Sequence, residues 1–366
     1  MKYYIIAGEA SGDLHGSNLI KQLQIKDAAA QIKCWGGDLM ETAGAILVKH
    51  YRDLAFMGFS EVIKNLPTIL GNLSFCKKDI LSFQPDVLIL IDYPGFNLRI
   101  AEWAKQKGFK VVYYIAPQVW AWKANRVKKM KQCIDLMLCI LPFEKNYFKK
   151  QWNWEVEYVG HPLIEVIEQF KATHQLGTKP IVALLPGSRK QEIAKKLPIM
   201  LSVAPHFPDY EFVVAKAPGQ EDAFYEPFLQ GQKNVRVVKD STYSLLMQSS
   251  AALVTSGTAT LETALFSVPE VVCYKGSNIS YQIARRLVKI KFISLVNLIM
   301  DKEIVKELIQ DELNTINLVE ALNSLLKNNQ DQEMLREEYS KLYQLLSAGG
   351  HASQNAASLI MNFLKN

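Results

Sequence analysis

Among the side chains suited to chemistry, Asp92 has the most telling position. It follows Val87–Ile91, a run that is apolar at every residue, and opens Asp92-Tyr93-Pro94-Gly95-Phe96-Asn97. A carboxylate at the end of a buried strand is partly desolvated, which raises its pKa towards that of a working general base. The competing role for Asp92 is a turn or helix cap. Asn97 is the better cap candidate, since helical patterning begins just after it.

Three glycine turns suit anion binding. Gly8-Glu9-Ala10-Ser11-Gly12-Asp13, with Gly16 one helical turn on, lacks G-x-G-x-x-G spacing. A wall of a sugar or phosphate site and an ordinary tight β–α turn fit it equally well. Pro186-Gly187-Ser188-Arg189 lies between a strand and a helix. Its arginine is suited to two phosphate oxygens, and the helix start adds N–H donors and a dipole. It lacks the Gly-Lys-Ser/Thr ending of a P-loop, and a surface turn with a solvated arginine is the plainer reading. Thr255-Ser256-Gly257-Thr258-Ala259-Thr260-Leu261-Glu262 is a third strand-to-helix turn. Glu262 falls one turn into the helix, where a carboxylate can accept two ribose hydroxyls. In the plainer reading Ser256 or Thr258 is the N-cap and Glu262 a structural charge.

Other chemistries find no support. No two aspartates stand in D-x-D spacing, no His pair has ligand spacing, and there is no G-x-S-x-G elbow, so no metal site is expected. The five cysteines are scattered without a C-x-x-C, which fits neither a disulfide framework nor zinc and suits a reducing compartment. Any nucleotide-sugar transferase without D-x-D would be expected to neutralise its diphosphate leaving group with helix dipoles and arginine.

These turns need elements to hold them. Tyr3–Ala7, Val87–Ile91, Val111–Ile115 and Leu136–Leu141 read as strands, with helical patterns at 14–23, 97–107 and 121–132. Such alternation predicts a doubly wound α/β domain. A second series has strands at 181–185, 211–215, 235–238, 251–255 and 270–274. From 301 onwards the pattern reads as helix only. Strand patterning lapses over 163–179. The expected division is a first domain at 1–165, a second at 166–345 and a terminal helix at 346–366 that packs back or crosses to a partner chain. The loops at the strand ends would then face a cleft.

At 366 residues, 49% apolar and 21% charged, the chain is an ordinary globular one. The 42 Lys and Arg exceed the 36 Asp and Glu by only six, which is no nucleic-acid signature but suits anionic substrates. The apolar start, Tyr3–Ala7, is too short for a secretory signal, and no run nears the ~18 apolar residues that span a bilayer. Lys123, Arg126, Lys128, Lys129 and Lys131 flank Trp120 and Trp122, a pattern of either a solvated helix edge or an anionic lipid contact. The apolar stretch 56–83 is either core helix or an acyl-binding flank. His161, in Gly160-His161-Pro162, reads first as a hinge histidine.

Taken together, AGEASGDLHG (7–16), MGFSEV (57–62), IDYPGFN (91–97), PQVWAWKANRVKKMK (117–131), LPFEK (141–145), GHP (160–162), LLPGSR (184–189), SGTATLETAL (256–265) and RRLVK (285–289) resemble the lipid-A-disaccharide synthase family. The motifs run in the family's order over nearly the whole chain. The resemblance implies a glycosyltransferase B fold, two Rossmann-like domains with a helical tail, the first (1–165) binding the acceptor and acyl chains and the second (166–345) binding the UDP-sugar. It implies transfer of a diacylglucosamine from UDP to the 6-hydroxyl of diacylglucosamine 1-phosphate, with no cofactor, giving a β-1,6 disaccharide 1-phosphate. Asp92 matches the family's base and Arg189 its essential arginine. Gly187, Ser188, Ser256, Gly257, Thr258, Ala259, Glu262 and Asn297 fall on the nucleotide side. Gly8, Glu9, Ser11, Gly12, Asp13, Glu61 and Asn97 fall on the other substrate's side. Many relatives carry a second aspartate where this chain has Gly95, so that carboxylate is not required here. Acylated substrates imply a peripheral enzyme on the inner face of the inner membrane, and a homodimer is left open. Two readings stay beside this one: another UDP-N-acetylglucosamine enzyme of the same fold, such as a 2-epimerase or a peptidoglycan glucosaminyltransferase, and a nucleotide- or lipid-binding protein without turnover.

Overall fold

Strands that are apolar on both faces can be satisfied only in a sheet covered on both sides, and parallel pairing with helical crossovers supplies that cover. The computed structural model describes residues 1–54, 66–175, 177, 179–217, 220–277, 281 and 290–365. The chain forms two compact units, Met1–Pro162 with Leu346–Asn366, and Leu163–Leu345.

In the first unit, β1 (Lys2–Ala7), β2 (Gln31–Gly36), β3 (Ile46–His50), β4 (Val87–Ile91), β5 (Val111–Tyr114), β6 (Leu136–Cys139) and β7 (Glu157–Tyr158) form a seven-stranded sheet. Its order is β3-β2-β1-β4-β5-β6-β7, with every pairing parallel. Alternate residues feed opposite cores. Tyr4, Ile6, Leu88, Leu90 and Tyr113 join Trp35 and Phe96 on one face. Tyr3, Ile5, Val87, Ile89, Val112 and Tyr114 face the other way. On that second face Leu19, Ile20 and Leu23 of the helix Ala10–Lys26 meet Ala356, Ala357, Ile360 and Met361 of the last helix, Ala352–Lys365. The tail therefore packs back on the first unit of its own chain.

In the second unit, β8 (Ile181–Leu185), β9 (Glu211–Ala215), β10 (Val235–Val238), β11 (Ala251–Thr255), β12 (Glu270–Tyr274) and β13 (Lys306–Ile309) form a parallel sheet in the order β10-β9-β8-β11-β12-β13. Residues 301–366 are thus not helix only. β13 is four residues long with one of them buried, so its period is too short to stand out from a helical one. The helix expected at 97–107 begins earlier, at Pro94. The one expected at 121–132 is helical only over Arg126–Cys133.

This topology positions the four turns. In each sheet the winding direction reverses beside the first strand, between β1 and β4 and between β8 and β11. Open α/β sheets bind ligands outside the carboxyl ends of the strands at that reversal. The four turns singled out by residue type follow these four strands.

Candidate active site

In the first unit, the turns after β1 and β4 interlock. Asp92 (φ +43°) and Tyr93 (φ +49°) are both left-handed, an uncommon backbone for non-glycine residues and one that clusters at functional sites. The Asp92 peptide is held on three sides. Its N–H donates to Tyr114 O at 3.1 Å, and its carbonyl accepts from Tyr113 Oη at 2.6 Å and Asn97 Nδ2 at 2.7 Å. The Tyr93 ring lies over Gly8, where a Cβ would come within 2.4 Å of the ring, so only glycine fits. The Asp92 carboxyl is pushed up from 3.8 to about 6, by burial first and then by the negative charge of Glu9, while the Tyr93 N–H partly opposes them.

Two residues expected on the substrate side, Asn97 and Asp13, engage their side chains in this frame. Asn97 is fully buried inside the helix Pro94–Gln106, not at its cap, and donates to Ile91 O as well as to Asp92 O. Asp13 is buried and accepts from the N–H groups of Gly37, Leu39 and Met40 at 2.8–3.2 Å, capping the short helix Asp38–Thr42. Glu9 stands at the N-cap position of Ala10–Lys26 without capping it, and Ser11 is exposed beside it. Gly12 is buried in the turn, where an added Cβ would come within 3.0 Å of Ala7 Cβ. Glu61 and the segments 57–62 and 285–289 lie outside the described residues.

One group in this unit was not singled out. Glu144, in the LPFEK segment, is 1% exposed. Its carboxylate accepts from Trp120 Nε1 at 3.1 Å, Ile140 N at 3.2 Å and Leu141 N at 2.9 Å. Burial pushes it up to about 7 against these hydrogen bonds, with the Asp92 charge adding to the rise. Its grip on Trp120, which also meets Phe143 edge-on at 5.0 Å, fixes the loop that carries the basic segment. In that segment Trp122 is half exposed, Lys123 Nζ lies 4.2 Å from its ring, Lys129 pairs with Glu102 and Lys131 donates to Asn153 O. His161 is buried, and burial with the neighbouring His15 lowers it to about 3, so it is uncharged at neutral pH.

In the second unit, the turns after β8 and β11 are likewise tied together. Gly187 (φ +113°) has no room for a Cβ, which would lie 2.9 Å from Glu192 Oε2 and 3.4 Å from Thr255 Cγ2. Arg189 is the N-cap of the helix Lys190–Leu201, is more than half exposed, and lies 3.5 Å from Glu192. Lys196, also not singled out from sequence, is buried and bonds Thr255 Oγ1, the last residue of β11. Its ammonium lies 3.9 Å from Glu192 and is lowered by burial.

The N-cap of Thr258–Leu265 is Gly257, at φ +145°, not Ser256 or Thr258. Ser256 Oγ donates to Ile293 O at 2.8 Å, while Gly257 and Thr258 are exposed at the turn and Ala259 is half-buried. Glu262 is half-buried and accepts from Tyr243 Oη at 2.7 Å. Asn297 is fully buried, and both ends of its amide are engaged, by Ile304 N and Val305 N on one side and by Val305 O and Glu307 on the other. It is part of the frame, like Asn97 and Asp13. Among the described residues, no group of three or more His, Cys, Asp or Glu side chains is placed to hold a metal ion.

Each unit therefore offers its own kind of chemistry. The first unit supplies a carboxylate poised near neutrality on a fixed, strained turn. The second supplies two glycine-opened helix starts, an exposed arginine and a half-buried carboxylate.

A family model described as lipid-A-disaccharide synthetase matches residues 3–361. The chain is 37% identical to the lipid-A-disaccharide synthase of Trichlorobacter lovleyi, covering 99% of this chain and 97% of that one. It is 36% identical to the lipid-A-disaccharide synthase of Geobacter metallireducens, over 98% and 96% of the two. Among solved structures it resembles the UDP-GlcNAc 2-epimerase of Neisseria meningitidis bound to UDP-GlcNAc, with a TM-score of 0.67 at 14% identity over the full length of both chains. The calicheamicin glycosyltransferase CalG4 gives 0.62 at 16% identity, over 100% of this chain and 98% of that one. At such identities these two likenesses concern the fold alone.

Proposed function

The chain belongs to the lipid-A-disaccharide synthetase family, and from that premise we propose how its residues carry out the transfer. The enzyme is a glycosyltransferase that moves 2,3-diacylglucosamine from UDP to the 6-hydroxyl of 2,3-diacylglucosamine 1-phosphate. The acceptor oxygen bonds to the anomeric carbon as the bond from that carbon to the diphosphate breaks. One displacement inverts the centre and gives the β-1,6 disaccharide 1-phosphate and UDP. The acceptor proton passes to Asp92. Arg189 and the helix starts after β8 and β11 receive the growing charge on the diphosphate, and Glu262 accepts the ribose hydroxyls.

Because both sugars carry acyl chains, the enzyme works at the inner face of the inner membrane as a peripheral protein. Lys123, Arg126, Lys128, Lys129 and Lys131 with Trp122 meet the anionic surface, and the exposed Leu70, Phe75 and Leu81 of the helix Leu66–Phe83 lie along acyl chains. No described helix is long and apolar enough to cross a membrane. Working as a homodimer is compatible with this arrangement. The 2-epimerase alternative keeps only the shared fold in its favour.

The observation that carries the reading is Asp92, a carboxyl at about 6 on a rigid turn. As a base it must be ionised, so kcat/KM falls as pH drops through about 6. Replacing Glu9 by Gln removes the charge that helps raise Asp92 and moves this limb to lower pH. A limb that ignores Glu9→Gln contradicts the assignment.

A further inference from the structure

Glu262 can serve a ribose only if its carboxylate is held in one orientation, because a free glutamate side chain has three rotatable bonds whose rotamer freedom is lost when it is fixed. Its place on the helix Thr258–Leu265 sets where the side chain starts but is not itself a group that holds the carboxylate. The group that does comes from elsewhere in the unit. Tyr243, on the short helix Thr242–Leu246, donates its hydroxyl to Glu262 Oε1 at 2.7 Å.

The phenol is itself packed among aromatic rings. Its ring packs against Phe266 at 5.1 Å and edge-on against Phe170 at 5.4 Å, and those two rings meet each other at 6.1 Å and nearly at right angles. Lys171 adds a further tie, donating to Leu265 O at 2.7 Å while lying 5.4 Å from the Phe266 ring centre. Two consequences follow for the carboxylate. The donated hydrogen bond favours the ionised form, in opposition to the burial that raises Glu262. It also occupies one oxygen and leaves the other for an incoming donor.

We infer that Tyr243 is a positioning residue of the nucleotide subsite, locking the Glu262 carboxylate in the orientation that accepts the vicinal hydroxyls of the UDP ribose. This rests on the ribose reading of Glu262, and the two are separable by experiment. A phenylalanine at 243 keeps the three-ring packing and removes only the hydroxyl, so the fold is retained.

The test is calorimetric binding of UDP and of 2′,3′-dideoxy-UDP to the full-length enzyme and to its Tyr243→Phe and Glu262→Gln variants. Wild type is expected to prefer UDP, and Glu262→Gln to close most of that gap. Tyr243→Phe should weaken UDP about tenfold to 150-fold, the range of one hydrogen bond to a charged group, and leave the dideoxy nucleotide within about twofold. If Glu262→Gln leaves the preference intact, the ribose reading falls and the inference with it. If Glu262→Gln closes the gap while Tyr243→Phe leaves UDP binding unchanged, or weakens both nucleotides alike, the role of Tyr243 alone is overturned.

Discussion

Holding Asp92 ionised where it sits should cost the fold stability, and the size of that cost follows from its surroundings. Burial and Glu9 raise the carboxyl from 3.8 to about 6. A raised folded-state value means that the group favours folding below 3.8, and that this contribution is lost as pH rises through about 6. At pH 8 the wild type therefore carries the whole penalty. A tenfold change in proton affinity is worth ~1.4 kcal/mol, so the ceiling is about 3 kcal/mol. Asn at 92 is neutral, has nearly the same shape and still accepts the Tyr93 N–H. Asp92→Asn is thus expected to be more stable than wild type at pH 8 by up to about 3 kcal/mol, and equal to it near pH 4. Its turnover should fall by ~10²–10⁴-fold, as for loss of a general base. Urea unfolding at pH 8, 6 and 4, with initial rates at pH 8, checks both halves. A folded Asp92→Asn protein that turns over normally, or that is less stable than wild type at pH 8, refutes the reasoning.

Arg189→Lys keeps the charge but loses the planar fork, so kcat should fall by more than UDP affinity, and a variant unchanged in both would reduce the turn to a structural loop. Sedimentation with vesicles should rise with anionic lipid and fall in part with salt. It should drop when Lys123, Arg126 and Lys128 become Gln, at ~1 kcal/mol per basic group, whereas binding that ignores the substitutions would make the segment a solvated edge.

Much of the architecture was legible because parallel strands leave an unambiguous trace. Val87–Ile91 and Ala251–Thr255 are buried at every residue, and the turns after them bear glycine or a lone carboxylate. β2, β3, β7 and β13 were not read, since all but β2 are at most five residues long and partly exposed, and β2 mixes exposed and buried positions. The residue types of the site were read more surely than their tasks. Asn97, Asp13 and Asn297 have the side chains of substrate ligands, yet each bonds the backbone of its own unit, a use that depends on which peptide groups the fold brings near. Glu144 and Lys196 look in sequence like surface charges on amphipathic helices. Their burial arises from contacts with Trp120 and Thr255, 24 and 59 residues away, and no local pattern carries that information. The link from Tyr243 to Glu262 is of the same kind.

The most direct test is to incubate the purified protein with UDP-2,3-diacylglucosamine and 2,3-diacylglucosamine 1-phosphate and to analyse the products by mass and by anomeric configuration. The account predicts one tetraacyl disaccharide 1-phosphate with a β-1,6 linkage, formed in step with UDP and lost in the Asp92→Asn variant. UDP release without disaccharide, an α-linked product, or equal use of unacylated UDP-N-acetylglucosamine would contradict it.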